Sequence, residues 1–187
     1  MQEDIKKALE VLRSGGVILY PTDTVWGLGC DATNEKAVER IFEIKKRADS
    51  KALLLLVDNS ARIQSYVDEV PEIAWDLIDV ADKPLTIIYP NAKNVATNLL
   101  AEDKSIGIRV TNEQFSKSLC AQFRRPIVST SANVSGEVTP SNFSLITEEI
   151  KSAVDYVVTF KQNDITHNKP SSIIKLGIGN VFQLIRE

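Results

Sequence analysis

The sequence predicts an α/β fold in which helices pack against a twisted mixed sheet, and two observations support this prediction. Segments with the apolar spacing of helices alternate along the chain with short runs of consecutive apolar residues. In addition, 43% of the 187 residues are hydrophobic, which suffices for one sizeable core, and no linker or repeat divides the sequence. We therefore expect a single domain over residues 1–187.

Six segments carry apolar residues at the spacing of an amphipathic helix. The first is followed by Gly15 and Gly16, and glycine favours helix termination. Pro71 opens another, in a first turn where its missing N–H costs no hydrogen bond. The predicted helices cover residues 3–14, 34–46, 59–68, 71–81, 112–123 and 145–152.

Eight short apolar runs are predicted strands. Consecutive apolar residues, rather than strict alternation, indicate strands that are buried on both faces. The predicted strands are Val17–Tyr20, Leu53–Val57, Leu85–Tyr89, Ile106–Val110, Ile127–Val128, Tyr156–Phe160, Ser172–Leu176 and Val181–Ile185.

The charge balance argues against a dedicated nucleic-acid binder. The chain has 22 Lys and Arg residues against 25 Asp and Glu residues, so its net charge is −3 and its pI is about 5.4. Nucleic-acid-binding domains usually carry an excess of positive charge. A local basic cluster can still bind a small anion.

The scarcity of histidine and cysteine excludes several kinds of metal site. His167 is the one histidine, which rules out sites that need a histidine pair, and Cys30 and Cys120 are too few for a cysteine zinc cage. Two cysteines in a chain with a full core are typical of reduced thiols in a cytoplasmic protein. The longest apolar run, Ala52–Val57, has six residues, whereas a membrane span needs about 20. We expect a cytoplasmic protein without membrane contact.

Three polar segments are candidate ligand-binding loops. Pro21–Asp31 combines threonines, an aspartate and glycines, Lys45–Lys51 holds four cations in seven residues, and Ser129–Gly136 holds four hydroxyls and an amide. Hydroxyls and glycines suit a polar ligand that approaches the backbone, and clustered cations suit a polyphosphate. Each segment also has a structural interpretation: tight turns for the first and third, and a basic helix C-terminus for the second.

Arg109 lies within the apolar run Ile106–Val110. A buried arginine needs an anionic partner. That partner is either a structural Asp or Glu or the carboxylate of a substrate, and the residues themselves leave both interpretations open. No P-loop or complete dinucleotide-binding fingerprint is present in the sequence.

Taken in order along the chain, these segments resemble the YrdC-like family, the threonylcarbamoyl-AMP synthases. Pro21–Gly29 resembles the family's P-T-[ED]-T-x-[YW]-G-L-G loop, and Ser131–Gly136 resembles its S-x-N-x-S-G segment. Lys45 and Arg47 match the K-x-R signature. Weaker similarities lie at Pro84–Thr86, Gly107–Val110 and Ser171–Ile174. The resemblance covers almost the whole chain and implies a single YrdC-like domain with a cationic ligand cleft.

The resemblance implies a reaction in which L-threonine, bicarbonate and ATP give threonylcarbamoyl-AMP and pyrophosphate. It also implies Mg²⁺ bound together with ATP, no metal site in the protein, and a downstream transferase complex that places the threonylcarbamoyl group on the tRNA adenosine beside the anticodon. Such a reaction needs no covalent enzyme intermediate, which agrees with the lack of a nucleophile–base pair in the sequence.

By motif position, the resemblance implies two groups of site residues. Lys45 and Arg47 are expected to act in catalysis on the ATP phosphates. The implied nucleotide-binding residues are Lys45, Arg47, Lys51, Ser131, Asn133, Thr139 and Arg186. The residues implied to orient L-threonine are Thr24, Arg109 and Ser129, with Arg109 pairing the carboxylate.

The chain departs from the family pattern at several positions. Ala48 and Ala52 stand where the family often has proline, and Lys51 stands where asparagine is common. Leu56 replaces a frequent histidine, so one contact on the threonine side is expected to differ. The departures leave the cations of the K-x-R signature and the S-x-N pair in place.

Two alternatives share the fold. One is a factor for ribosome maturation that binds double-stranded RNA or tRNA without adenylate synthesis; extended basic clustering would favour it, and residues 45–51 hold almost the only such cluster. The other is a domain that forms a carbamoyl adenylate, and Thr24 and Arg109 favour an amino-acid ligand instead. Weak tRNA or double-stranded RNA contact at the cleft is compatible with the main interpretation.

Overall fold

Five α-helices and nine strands occur in the residues that the computed structural model describes, which are 1–46, 53–167, 169–177 and 181–187. The helices are α1 (Gln2–Arg13), α2 (Glu35–Ile44), α3 (Glu72–Val80), α4 (Gln114–Phe123) and α5 (Glu148–Ala153). The strands are β1 (Ile18–Tyr20), β2 (Gly27–Gly29), β3 (Leu54–Val57), β4 (Leu85–Tyr89), β5 (Ile106–Val110), β6 (Ile127–Ser131), β7 (Tyr156–Val157), β8 (Ser172–Leu176) and β9 (Phe182–Arg186). Short 3-10 helices lie at Ser60–Ser65, Thr97–Leu99 and Phe143–Leu145.

The strands form one mixed sheet in the order β7–β1–β2–β6–β3–β5–β4–β8–β9. The pairs β1–β7, β3–β5 and β4–β8 are parallel, and the other neighbours are antiparallel. Because β5 lies between β3 and β4, Arg109 is flanked by Leu56 and Thr86. Because β6 lies between β2 and β3, Ser131 is paired with Gly27. The strand order therefore places residues of the first and third polar segments on the neighbouring strands β2 and β6.

Helices cover both faces of the sheet and divide the core into two clusters. One cluster joins α2 and α3 to strand residues such as Leu55, Ile87 and Ile108. The other joins α1, α4 and α5 to strand residues such as Leu28 and Leu56. This layered packing confirms the predicted α/β fold with a mixed sheet. Of the described helices, none has the length and apolar character needed to cross a bilayer.

Several helix ends follow directly from the local sequence. After α1, Gly15 adopts φ +81°, a left-handed conformation that residues with a Cβ rarely take. α2 begins after Asn34, whose side-chain oxygen accepts hydrogen bonds from the N–H groups of Lys36 and Ala37. Glu113 caps α4 in the same way by accepting from the N–H of Ser116.

Four parts of the predicted secondary structure are wrong. Of the predicted strand Tyr156–Phe160, only Tyr156–Val157 is a strand, and Phe160 lies in a turn. Residues 59–68 contain a 3-10 helix instead of an α-helix, and Val67 leaves the helical path to form a β-bridge with Ala92. Gly27–Gly29, predicted as part of a loop, is strand β2, because β1 and β6 pair with its two edges. The predicted strand Ile127–Val128 extends to Ser131, because β2 and β3 supply hydrogen-bonding partners on both sides of β6. Pairing across the sheet, which a local pattern does not show, decides the last two.

Candidate functional site

A cavity of about 590 Å³, here called the main cavity, opens over the sheet. Its walls come from strands β2–β6, β8 and β9, together with Thr24, Thr139 and the segment from Leu99 to Ser105. This volume lies in the range of small-molecule and cofactor sites.

Most of the site residues implied by the resemblance meet at the main cavity. Of the ten implied residues, six line the main cavity: Thr24, Arg109, Ser129, Ser131, Thr139 and Arg186. Lys45 and Asn133 do not line it but lie in the adjoining structure around Ser131. Arg47 and Lys51, like the departures Ala48 and Ala52, lie outside the described residues. The roles expected of all ten residues stay predictions.

Arg109 is buried and has an acidic partner within the protein. Its Nε lies 3.1 Å from Oδ1 of Asp23, and the two side chains are 4% and 12% exposed. Its Nη2 donates a long hydrogen bond of 3.5 Å to Oγ1 of Thr22. Burial raises the pKa of Asp23, and the positive charge of Arg109 offsets part of that effect. Arg109 thus has a structural partner and also lines the main cavity.

Local hydrogen bonds hold Thr24 at the cavity wall. Oγ1 of Thr22 donates to the carbonyl oxygen of Val25 at 2.8 Å and accepts from the N–H of Thr24 at 3.1 Å. In β2, a Cβ on Gly27 would come within 3.2 Å of Oγ of Ser129, so the close approach of β2 to β6 favours a glycine there.

Lys45 anchors the segment that follows β6. The residue is 2% exposed, and its Nζ donates to the carbonyl oxygens of Ser131 at 2.6 Å and Asn133 at 2.8 Å. The carbonyl oxygen of Lys45 accepts in turn from the N–H of Ser135 at 3.0 Å. Nδ2 of Asn133 donates to the carbonyl oxygen of Glu137 at 3.0 Å. These bonds tie the end of α2 to the S-x-N segment at the edge of the main cavity.

Arg186 forms the wall on the β9 side. Its Nε donates to the carbonyl oxygen of Ser171 at 2.8 Å, and Oγ of Ser171 lies 2.8 Å from Oγ1 of Thr86. Within the described ranges Arg186 makes no ion pair with an acidic side chain. Burial, and to a lesser degree the charge of Arg109, lowers the pKa of Arg186. Two arginines in electrostatic contact make this part of the main cavity suitable for anions.

An ion pair between β8 and the segment from Leu99 to Ser105 has no signal in the sequence. Nζ of Lys175 lies 2.6 Å from Oδ2 of Asp103, and both residues line the main cavity. Hydrogen bonds from Lys175 and Ser105 lower the pKa of Asp103 to about 2. The two charges are 72 residues apart, so no local pattern could connect them. The buried Thr86, by contrast, was detectable as a polar residue in an apolar strand, the signal that singled out Arg109.

Between these polar walls the main cavity has an apolar floor. Ile88 of β4, Ile173 of β8 and Leu99 of the nearby 3-10 helix contribute to it. Such a surface suits an apolar or aromatic part of a ligand.

The part of the chain that the structure describes contains no group of three or more His, Cys, Asp and Glu side chains that could hold a metal ion. Cys30 and Cys120 are buried free thiols, and burial raises the pKa of both. Both are packed thiols without activation, because an activated cysteine needs a lowered pKa. His167 lies in an exposed loop, where its Nδ1 is 2.8 Å from Oγ of Ser141.

The arrangement can bind an anionic ligand through guanidinium groups and short hydroxyl donors. Serine and threonine residues of β6 and of the loop before β2 line the main cavity together with Arg109 and Arg186. Groups of this kind orient substrates and neutralise charge.

Comparison with known proteins places the chain in a family. The Sua5, YciO and YrdC family, described as telomere recombination, matches residues 10–187. Threonylcarbamoyl-AMP synthase of Pseudoalteromonas translucida (strain TAC 125) is 37% identical over 185 residues, which is 97% of this chain and 98% of that protein.

Solved structures show the same fold. E. coli YciO superposes with a TM-score of 0.86 at 29% identity, over 100% of this chain and 90% of that chain. P. abyssi Sua5 complexed with L-threonine superposes with a TM-score of 0.82 at 26% identity, over 92% of this chain. The chain spans 50% of that longer Sua5 protein. The match over residues 10–187 and the identity to a relative of the same length together show that this chain belongs to the Sua5/YciO/YrdC family.

Proposed function

We propose that this protein is an L-threonylcarbamoyladenylate synthase, a nucleotidyltransferase that makes threonylcarbamoyl-AMP and pyrophosphate from L-threonine, bicarbonate and ATP. One observation carries the proposal: residues expected to bind the amino acid and residues expected to bind the nucleotide line a single cavity of about 590 Å³. The 37% identity to a threonylcarbamoyl-AMP synthase over nearly the whole chain supports it.

The amino-acid half of the site would be built around Arg109. Its planar guanidinium can donate two parallel hydrogen bonds to the threonine carboxylate. Thr24 and Ser129, which line the same cavity, would orient the rest of the amino acid through their hydroxyls. The threonine amine captures CO₂ from bicarbonate as a carbamate.

The nucleotide half would lie toward Ser131, Thr139 and Arg186. A carbamate oxygen attacks the α-phosphorus of ATP, the bond to the β-phosphate oxygen breaks, and pyrophosphate leaves. Negative charge develops on the phosphates, so the cations near them stabilise the transition state. Arg186 supplies one such cation, and the predicted phosphate contacts of Lys45, Arg47 and Lys51 would supply the others.

Mg²⁺ would enter as part of the ATP substrate. Mg²⁺ at nucleotide sites usually keeps several waters and is held by phosphate oxygens with one or two carboxylates. Glu102 and Asp103 line the main cavity, but Asp103 is already paired with Lys175. The protein's own share of the chemistry is therefore to hold the two substrates in line and to balance phosphate charge.

The product would be consumed by a transferase complex that modifies tRNA next to the anticodon. This downstream step and the cytoplasmic location both stay predictions.

Pyrophosphate release with ATP, bicarbonate and single amino acids tests the proposal. We expect release with L-threonine and much weaker release with serine, which lacks the methyl group, or valine, which lacks the hydroxyl. Equal release with and without L-threonine would refute the proposed reaction. Mass spectrometry of the product identifies the adenylate.

Two variants separate the halves of the site. Arg109→Lys keeps the charge but loses the planar fork, so we expect the KM for L-threonine to rise about tenfold with little change in the KM for ATP. In Arg186→Gln we expect the KM for ATP to rise about tenfold with little change in the KM for L-threonine. A variant that changes both KM values equally would contradict this division of the main cavity.

A further inference from the structure

The partner of Arg109 is an unassigned residue of the site. Asp23 lies in the connection between β1 and β2, and its Oδ1 is 3.1 Å from Nε of Arg109 in β5. Both side chains are largely buried, and a buried arginine that loses its only acidic partner is strongly destabilised. Among the described residues, Asp23 is the acidic side chain that pairs with Arg109.

The contact keeps one edge of the guanidinium group against the loop. Nε and Oδ1 of Asp23 form a close ion pair without hydrogen-bond geometry, and Nη2 donates a long hydrogen bond of 3.5 Å to Oγ1 of Thr22, so this edge lies against residues of the same loop. The guanidinium is planar and its donors have a fixed geometry, so holding one edge determines where the remaining donors point. Arg109 lines the main cavity, as does Thr24, the residue after Asp23.

Asp23 itself lies outside the main cavity. It lines a second, smaller cavity of about 180 Å³ at the opposite face of β4 and β5. Successive residues of a strand point to opposite faces of the sheet. Accordingly, Thr86 and Arg109 line the main cavity, whereas Ile87 and Ile108 line the smaller one. Asp23 can therefore act on a ligand in the main cavity only through Arg109.

The pair does not cancel the positive charge of the site. Arg186 also lines the main cavity, and the charge of Arg109 contributes to lowering its pKa, so the two cations are in electrostatic contact. With Asp23 on the far side of Arg109, one positive charge is balanced and the other remains for an anion.

We propose that Asp23 is the positioning residue that aims Arg109 at the carboxylate of the amino-acid substrate. This inference rests on the proposed function, in which that substrate is L-threonine. Without the carboxylate of Asp23, the guanidinium loses the contact at Nε and samples other rotamers, so the amino acid binds more weakly while the nucleotide half is unaffected.

Protonation of Asp23 provides a specific signature of this role. Burial raises the pKa of Asp23, Arg109 opposes the shift, and Glu113 at the start of α4 adds to it. The other groups around it are Tyr20, Cys120, and Asp82 and Lys83, which line the smaller cavity. As the pH falls, Asp23 becomes neutral before an exposed aspartate would, and its hold on Arg109 weakens. Affinity for L-threonine should then fall with the pH in the wild type.

The test is L-threonine binding by titration calorimetry, without bicarbonate, from about pH 8 to about pH 5. In Asp23→Asn we expect the Kd for L-threonine to rise about tenfold at neutral pH and to lose its pH dependence. Asp23→Glu keeps the charge, and the family's loop pattern accepts glutamate, so most of the affinity should return. Asp82→Asn, which removes a carboxylate at the smaller cavity without touching Arg109, is the matched control and should bind as the wild type does.

An unchanged Kd in Asp23→Asn overturns the proposal, as does equal weakening of L-threonine and ATP binding, because a purely structural role affects both ligands. If Asp23→Asn does not fold, the pH dependence of Asp23→Glu decides, since a flat profile there also overturns the proposal. Failure of the proposed function is recognised separately, because it appears in the wild type as a lack of threonine-dependent pyrophosphate release.

Discussion

At the edge of the main cavity, the lysine Lys45 has a structural role that its charge alone does not indicate. Lys45 belongs to the basic segment that suggested a polyphosphate site, yet its ammonium group is buried against two backbone carbonyls. Carbonyl oxygens without a donor are costly in the interior of a protein. Lys45 thus shapes the segment after β6, and any contact it makes with phosphate would start from this anchored position.

Lys45→Met tests the anchoring role. Loss of the ammonium leaves the carbonyls of Ser131 and Asn133 without this donor, so we expect the free energy of unfolding to fall by about 1–3 kcal/mol in urea denaturation. The KM for ATP should rise as the segment loosens. Lys46→Met is the matched control, because Lys46 is exposed and pairs with the exposed Glu149, and it should change stability little. Equal losses in the two variants would contradict the anchoring role.

At the scale of elements, one buried carboxylate joins α1 to the β7 region, although Asp4 and Tyr156 are 152 residues apart in the sequence. Oδ1 of Asp4 in α1 accepts hydrogen bonds from the hydroxyl of Tyr156 at 2.7 Å and from both the N–H and Oγ1 of Thr159 at 2.8 Å. Burial by itself raises the pKa of Asp4, but these hydrogen bonds and the N-terminal charge outweigh it, so the pKa is lowered. The ionised form is therefore the one that stabilises the contact between α1 and the β7 region.

Asp4→Asn should reveal this contact through its pH dependence. Because the folded-state pKa of Asp4 is lowered, its stabilisation is fully present above the unfolded pKa of about 3.9 and is lost as the pH falls through the folded pKa. We expect a loss of about 1–2 kcal/mol at neutral pH that shrinks below about pH 4, measured by denaturant unfolding. Glu3→Gln changes the exposed neighbour and should have little effect; a pH-independent loss in Asp4→Asn would argue against the ionised contact.

The strands and helices also show which secondary structure a local sequence pattern can predict. β4, β5 and β8 have the predicted bounds, because each is a predominantly apolar run between turn signals. β2 was missed because Gly27–Gly29 has little strand propensity of its own and owes its conformation to pairing with β1 and β6. The 3-10 helix at Ser60–Ser65 was predicted as an α-helix because apolar spacing is similar in short helices of both kinds.

For the whole molecule, the distribution of charge matters more than its sum. The net charge is −3, and basic side chains along the described chain form ion pairs with acidic ones, as Arg40 does with Asp155 and Lys161 with Glu113. Among the described cations that line the main cavity, Arg109 and Lys175 are paired with aspartates, and Arg186 forms no ion pair with an acidic side chain. Such a surface favours a small anionic ligand over an extended polyanion.

This distribution predicts weak binding to RNA. Titration of labelled tRNA should show little binding at about 150 mM salt and only a shallow dependence of affinity on salt between about 50 and about 200 mM. ATP turnover measured on the same preparation serves as the positive control. Tight tRNA binding with a steep salt dependence, in the absence of threonine-dependent turnover, would instead favour the RNA-binding alternative.

The order of motifs, the buried strands and the resemblance to the family were all readable from the sequence, because burial and turn chemistry leave local patterns in the chain. The ion pairs Asp23–Arg109 and Asp103–Lys175 could not be predicted, although all four charged residues are plain in the sequence. Which distant residues touch depends on strand order and register, and the same apolar runs are compatible with several orders. The sequence alone therefore determined the fold class and most of the candidate residues, whereas only tertiary packing decided which of them share the main cavity and which charge holds Arg109 in place.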